Sequence, residues 1–474
     1  MALSDIDTIV VVILENRSFD HLLGYLNQPA NPGQDQVEGV RTDQTWLTTH
    51  ANMHAGSPYQ SHRLGAQTQN IDDPQHDHRA IDVQITTPPT DPNLRSMGGF
   101  VESYVRFCYP TPPDPSLVMG YYDAEALPVF DFFATNFAVC DHWFAALPTG
   151  TQPNRLMAMS GECSIVDNAS VFLPNQPLVY DWLTQNGVSW CAYQKGSYFP
   201  FFTLMPRLMP EILSSLTLSD FGVRGRFRRY SEFAEQWKSP SDMPSVIFIE
   251  PAYSEGPLSD PCDDHPPTGV AKGQAFLADL YGVLVGNRDR WAKTMMIVTY
   301  DEHGGFFDHV PPLPIPTTIA PASYQFQTTG VRVPAFVISP QVKPGSVFKG
   351  NLDHTSMLQL LADKFTPGTP YSVPVIARQG HLDRLVHVLI APSATSPAPA
   401  ISAAMLAEID AAAGSPPPPP IGASPSDPPN SQALHKVAVR MATDHPDLLD
   451  QPGWAEVKGY LGGLSPTEPP TLQR

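Results

Sequence analysis

Two short stretches carry enough polar groups at close spacing to do chemistry. Glu15, Asn16, Arg17, Ser18, Asp20 and His21 form one cluster, and Asp301, Glu302, His303, Asp308 and His309 form a second one far downstream. Two carboxylate-bearing clusters suggest one shared site, and carboxylates gathered this densely could hold a cation. Consecutive side chains on a strand point to opposite faces. Glu15 with Asn16, or Asp301 with Glu302, can therefore meet at one ion only if the backbone turns there, and Gly304 and Gly305 would ease such a turn.

A third candidate lies between the clusters. Pro153 suits the first turn of a helix running through Leu156, Met157 and Met159 to Gly161, which places Thr151 just ahead of a helix amino terminus. An anion placed there would meet free backbone N–H groups and the positive end of the helix dipole. A threonine hydroxyl at that position can be a nucleophile if its pKa is lowered, for which a divalent metal is the obvious means. The same position also suits an ordinary loop or N-cap threonine. Between Asn27 and Pro92 the chain is polar, with His50, His54, His62, His76 and His78, and its densest spot is the DDPQHDH of Asp72–His78. A solvated loop that merely tolerates histidine is the plain alternative there.

The elements that must hold these groups follow from the apolar runs around them. Ile9–Leu14 is a continuous run of Ile, Val and Leu, long enough for a strand buried on both faces and too short to span a membrane. Thr294–Tyr300 repeats the design, so both polar clusters sit where a buried parallel strand ends, the usual ligand position in open α/β sheets. Val246–Glu250 is a further buried strand ending in a carboxylate, and Asp279–Trp291 reads as a helix leading into the Thr294 strand, giving the rhythm of a parallel sheet. Val331–Ser339 reads as a strand weakened by Pro334, and Asp353–Ser356 opens a helix. Helices are also expected over Gly98–Arg106 and Leu127–Phe137. Tyr198, Phe199, Phe201 and Phe202 could line a pocket or cage a quaternary ammonium group, or simply pack the core.

Composition narrows the classes. The formal charge of -19, from 28 basic and 47 acidic residues, argues against nucleic acid as a partner and against electrostatic docking on anionic lipid. The 53 prolines and 32 glycines suit long ordered loops over a scaffold rather than a helical bundle. Five widely spaced cysteines without a CxxC pair point to buried free thiols. The amino terminus shows no signal peptide and no transmembrane helix, so the chain as given reads as cytoplasmic, or as secreted or periplasmic if a leader has been removed. The expected organisation is an α/β catalytic domain over residues 1–390 with a loop-rich insertion at 27–97. A proline-rich linker or wrap at 391–430 follows, including SPPPPP at Ser415–Pro420, and then a helical tail over 431–474.

Taken in order, several motifs resemble the phosphoesterase family of bacterial and plant phosphocholine-type phospholipases C and related acid phosphatases. They are ENRSFDHLLG at Glu15–Gly24, DDPQHD at Asp72–Asp77, MGYYD at Met119–Asp123, CDHWF at Cys140–Phe144 and TQPNR at Thr151–Arg155. EPAY at Glu250–Tyr253, DDHPP at Asp263–Pro267, DEHGGFFDHV at Asp301–Val310, GVRVPAFVISP at Gly330–Pro340 and DHTS at Asp353–Ser356 complete the set. The resemblance implies an alkaline-phosphatase-like α/β fold, with a mostly parallel central sheet flanked by helices and long loop insertions.

It implies Glu15, Asn16, Asp301 and Glu302 as ligands of one divalent metal ion, and Thr151 as the nucleophile that accepts the phosphoryl group. An all-oxygen ligand set suits calcium, manganese, iron or zinc alike. His76, His265, His303 and His354 become phosphate-binding or proton-transfer candidates, Asp264 an orienter of one of them, and Arg155 and Tyr253 substrate contacts. The implied reaction is hydrolysis of a phospholipid of the phosphatidylcholine type through a phosphothreonine. A phosphomonoesterase would use the same residues on a smaller phosphate ester, whereas a silent metal-binding scaffold on this fold would be marked by loss of the nucleophile or of metal ligands, and none is lost here.

Overall fold

The computed structural model describes the chain except for residues 1–2, 29–36, 67, 69–70, 87–95, 109–110, 171, 197–200, 221–224, 240–241, 257–259, 321–322, 390–397, 415–428, 451–453 and 464–474. At its centre lies an eight-stranded sheet built from β1 (Thr8–Leu14), β2 (Ala138–Cys140), β3 (Trp190–Gln194), β4 (Phe227–Arg229), β5 (Val246–Glu250), β6 (Thr294–Tyr300), β7 (Ala335–Ile338) and β8 (Ser346–Phe348). Their order across the sheet is β8-β2-β7-β6-β1-β5-β3-β4. Only β7 runs against its neighbours, so the sheet is mostly parallel. The continuous apolar runs of β1 and β6 are explained by their place: both are interior strands, and all seven residues of each are buried. The expected 331–339 strand shrinks to β7 because Pro334 has no N–H to give to a ladder.

Register then fixes where the chemistry sits. Leu14 lies opposite Tyr300, and the Asp301 N–H donates to the Leu14 carbonyl at 3.0 Å, so Glu15 and Asp301 emerge side by side.

Around the sheet pack α1 (Phe19–Leu23), α2 (His78–Thr86), α3 (Thr151–Ser160), α4 (Ala271–Val285), α5 (Thr355–Phe365), α6 (Ala403–Ala413) and α7 (Pro429–Asp444), among other helices. The expected 279–291 helix is two pieces. α4 starts at Ala271, and Asn287 caps a separate turn at Arg288–Trp291 by accepting from the Arg290 N–H. Within the stretch read as a proline-rich linker, α6 forms a helix against α4, and the Tyr281 hydroxyl donates to the Pro399 carbonyl at 2.6 Å. The SPPPPP run, Tyr198 and Phe199 lie outside the described residues. Phe201 and Phe202 are buried in the core. All five cysteines are free thiols. Among the described residues no helix is long and apolar enough to cross a membrane.

Candidate active site

The turns that strand alternation demands are present. Asn16 has φ of +62°, a left-handed conformation that asparagine tolerates better than most residues, and Gly304 and Gly305 have φ of +62° and +73°. Gly304 has a second reason to be glycine, since a Cβ there would lie 2.1 Å from the Asn16 carbonyl oxygen. These turns fold the two strand ends together. The Asn16 N–H donates to Asp301 Oδ1 at 3.2 Å, the Arg17 N–H to the Glu302 carbonyl at 3.1 Å, and the Gly304 N–H to Glu302 Oε2 at 2.7 Å.

After these bonds, one buried oxygen of each expected metal ligand has no hydrogen-bond partner: Glu15 Oε2, Asn16 Oδ1, Asp301 Oδ2 and Glu302 Oε1. The buried Thr151 Oγ1 is also without a partner. Orphaned buried acceptors are costly, and carboxylates more so. Burial together with repulsion from Asp301 holds the Glu15 carboxyl well above the usual range. Burial likewise carries Glu302 up to about 8 and Glu250 up to about 7, against the opposing pull of His76 and Arg155 respectively. A cation among these oxygens would relieve both the repulsion and the missing contacts, so the residues present fit a metal ion.

Thr151 is the first residue of α3, and the neighbouring motif residues explain how it is held. The Asn154 side chain staples the preceding loop: Oδ1 accepts the Leu147 N–H at 2.9 Å, and Nδ2 donates to the carbonyls of Leu147, Thr149 and Gly150. The helix terminus is less open to an anion than expected. The Gln152 N–H is taken by Asn168 Oδ1 at 2.8 Å, and Pro153 has no N–H.

Arg155 differs from expectation as well. Its guanidinium is fully buried, with Nη2 on the Ile13 carbonyl and 3.3 Å from Glu15 Oε1, Nη1 3.7 Å from Glu250 Oε2, and Nε 3.6 Å from Asp301 Oδ2. It is a counter-charge to these carboxylates, and its Nε and Nη1 have no hydrogen-bond partner. Tyr253 lies beside it, with its ring centroid 5.5 Å from the guanidinium carbon and its buried hydroxyl without a partner.

The four histidines separate into two pairs. His265 donates from Nδ1 to the Pro266 carbonyl at 2.5 Å, leaving Nε2 buried and unpartnered, 3.9 Å from Glu255. His76 donates from Nδ1 to the Pro74 carbonyl, and its Nε2 stands 3.2 Å from Asn16 Nδ2 and 3.7 Å from Glu302 Oε1. Burial disfavours the charged His76 ring, but Glu302 and Asp73 outweigh it and carry the pKa up to about 10; the contact from the Asn16 amide belongs to the neutral ring.

The other pair has different work. His354 Nε2 donates to the Asp301 carbonyl at 2.6 Å and its Nδ1 accepts the Trp143 indole N–H at 3.2 Å, so both ring nitrogens are engaged and the ring positions Asp301. His303 donates from Nε2 to Gln84 Oε1 at 2.8 Å, and burial, reinforced by His76, lowers it to about 3, so it stays neutral.

Asp264 does not orient a histidine. Its carboxylate accepts the Tyr300 hydroxyl at 2.6 Å, its carbonyl accepts Arg17 Nε, and burial raises its carboxyl to about 7. The adjacent Asp263 takes the place next to the site: its Oδ1 accepts the His265 N–H and its carbonyl accepts the Glu15 N–H. The sequence reading also missed Glu255 and Asp73. Asp73, His76 and His265 form one group whose possible ligand atoms lie within 4.8 Å of one another, and Glu15, Glu255 and His265 form another. Asp73 and Asp263 lie inside the quoted motifs, and only the ambiguity of paired aspartates hid them. Glu255 carried no such signal.

A model of the phosphoesterase family matches residues 6–366. The chain belongs to the phosphoesterase family. It is 33% identical over 370 residues to non-specific phospholipase C5 of Arabidopsis thaliana, covering 73% of this chain and 66% of that protein, so it spans just under two thirds of that relative's length. It is 29% identical to phospholipase C B of Mycobacterium tuberculosis over 419 residues, 78% of this chain and 75% of that one. Among solved structures, a protein of the alkaline phosphatase superfamily from Vibrio parahaemolyticus is similar at a TM-score of 0.33 and 12% identity, over 53% of this chain and 62% of that chain.

Proposed function

We propose that this phosphoesterase hydrolyses phosphate diesters of the phospholipase C type, with phosphatidylcholine-like lipids as substrate and Thr151 as nucleophile. The observation that carries the reading is the unpartnered, buried Thr151 hydroxyl in a site where Glu15, Asn16, Asp301 and Glu302 each keep one oxygen free. Those four oxygens would hold one divalent ion, whose positive charge would lower the hydroxyl pKa and offset charge on the phosphoryl oxygens.

The chain's own residues do the rest. Thr151 Oγ1 gives up its proton to water and bonds to phosphorus, and the bond from phosphorus to the alcohol oxygen breaks. His265 or His76, the two rings with Nε2 turned into the site, protonates the departing alkoxide. Water then attacks the phosphothreonine, returns its proton to that ring, and the released Thr151 oxygen is reprotonated. Asn154 keeps the nucleophile in place, while Arg155 balances the carboxylates and so limits the positive charge left to face a doubly charged monoester. The relatives named phospholipase C support the diester reading. Acid phosphatase activity at the same residues is the alternative.

The deciding experiment measures turnover of para-nitrophenylphosphorylcholine and para-nitrophenylphosphate by metal-replete and metal-stripped protein. Metal-dependent preference for the choline diester is expected, followed by release of diacylglycerol from phosphatidylcholine vesicles. Preference for the monoester makes the protein a phosphatase. Failure to turn over either ester with metal present would overturn the reading.

A further inference from the structure

The helix α7 lies beyond residue 366, where the family match ends, yet its first turn enters the active site. Asn430 and Ser431 are buried there, at 1% and 0% exposure. Asn430 Nδ2 donates to the Glu255 carboxylate, and Asn430 Oδ1 accepts from Gln152 Nε2 at 3.0 Å. Ser431 Oγ donates to the Glu255 carbonyl at 3.2 Å. Both partners adjoin the chemistry. Gln152 follows Thr151, and its amide is otherwise held by Ala169 through both the Ala169 carbonyl and N–H. Glu255 shares one cluster with Glu15 and His265.

A primary amide suits this junction because it gives an N–H to a carboxylate and a carbonyl to another amide at once. Aspartate would set a second negative charge against Glu255, and a hydrocarbon would leave both partners unsatisfied in a buried place.

We infer that Asn430 is a positioning residue of the active site: by joining Gln152 to Glu255 it sets Thr151, at the head of α3, against His265. The inference rests on the proposed role of Thr151. It also gives the segment after the family match a part in turnover instead of leaving it as an appended tail.

Steady-state kinetics on the preferred nitrophenyl ester, with thermal melts, test it in the full-length chain. Asn430→Ala should lower kcat between about 10- and 100-fold with KM changed less than about threefold, because a nucleophile displaced by a fraction of an ångström reacts slowly after binding normally. Asn430→Asp should be worse. The double variant Asn430→Ala/Gln152→Ala should be no slower than the worse of its two parents, since both act through one joint. Met441→Ala, a buried packing position on the same helix, should lower Tm and leave kcat of the folded enzyme unchanged.

If Met441→Ala depresses kcat as far as Asn430→Ala, helix docking alone matters and the inference is wrong. Should Asn430→Ala not fold, Asn430→Ser keeps a donor and an acceptor and gives the same comparison. Unchanged kcat in the Asn430 variants, with Thr151→Ala inactive, overturns this inference alone. Absence of turnover in the unaltered protein overturns it together with the reading of the site.

Discussion

Two buried acidic clusters hang from the ends of the same two strands, and they are built oppositely. In the first, Glu15, Asn16, Asp301 and Glu302 each retain an unpartnered oxygen. In the second, a few residues further along both segments, Asp20, Asp308 and His309 surround Arg332, and none of their side-chain polar atoms is a buried orphan. Arg332 Nε donates to Asp308 Oδ1 at 2.9 Å, Nη2 to Asp20 Oδ1 at 3.1 Å, and Nη1 to the carbonyls of Glu38 and Asp141. His309 Nδ1 closes on Asp20 Oδ2 at 2.6 Å. An arginine already occupies the place a cation would take. Similar composition therefore yields a closed staple in one place and a set of unpartnered buried oxygens in the other, and the satisfaction of each polar atom tells them apart.

The largest test of this contrast is Thr151→Ala, which should cost about 10³-fold or more in kcat and leave Tm nearly unchanged. Thr149→Ala should remain within a few-fold of the parent, because the Thr149 hydroxyl already binds the Val166 carbonyl and Asp167. Equal losses in both variants would remove the distinction between them.

Next in size, Arg332→Met strands Asp20 and Asp308 and should destabilise the fold by about 3–5 kcal/mol, read from denaturant melts. The enzyme that stays folded should retain its kcat.

Chelation should act the other way round. It should abolish turnover, and titrating manganese, calcium or zinc back should raise Tm, since a ligand at about 100 times its Kd adds about 2.7 kcal/mol. A chelator-insensitive Tm and full activity would place the first cluster in the same class as the second.

The smallest effect concerns pH. Burial opposes the charge on His309, but Asp20 outweighs it and raises the pKa above the ordinary value of about 6.5. The stability this pair contributes is fully present below that ordinary value and is lost as pH rises through the raised one. Asp20 is shifted down, burial opposing but His309 and Arg332 prevailing, so its share is lost only in acid, as pH falls through the lowered value. The Tm gap between the parent and His309→Gln should thus be widest near pH 6 and narrow in alkaline buffer; a gap that does not vary with pH would contradict the pairing.

Much of this was legible in the chain. The continuous apolar run at 9–14 and the largely apolar, partly β-branched run at 294–300 read as interior parallel strands, which put the polar residues after them at the sheet's ligand edge. Strand alternation also implied that Glu15 with Asn16, or Asp301 with Glu302, could share one site only if the backbone turned there, and the left-handed Asn16, Gly304 and Gly305 make those turns.

Residue types do not reveal what each side chain touches, and here tertiary structure decided. His76, His265, His303 and His354 are the same residue in similar motifs, yet Trp143 and Gln84 reach two of them from distant segments, completing the engagement of both ring nitrogens of His354 and occupying Nε2 of His303 while its Nδ1 has no hydrogen-bond partner. Arg155 faces carboxylates because three strands end around it. Asp264, expected to orient a histidine, adopts a φ of +69° and bonds the Tyr300 hydroxyl instead, and the neighbouring Asp263 accepts the His265 N–H. Asn430 gives no signal of function in the sequence, since its meaning comes from two partners 278 and 175 residues away. Local pattern determines which elements form and which residues cluster at their ends, whereas the allocation of hydrogen bonds in a buried site depends on contacts that only the folded chain brings together.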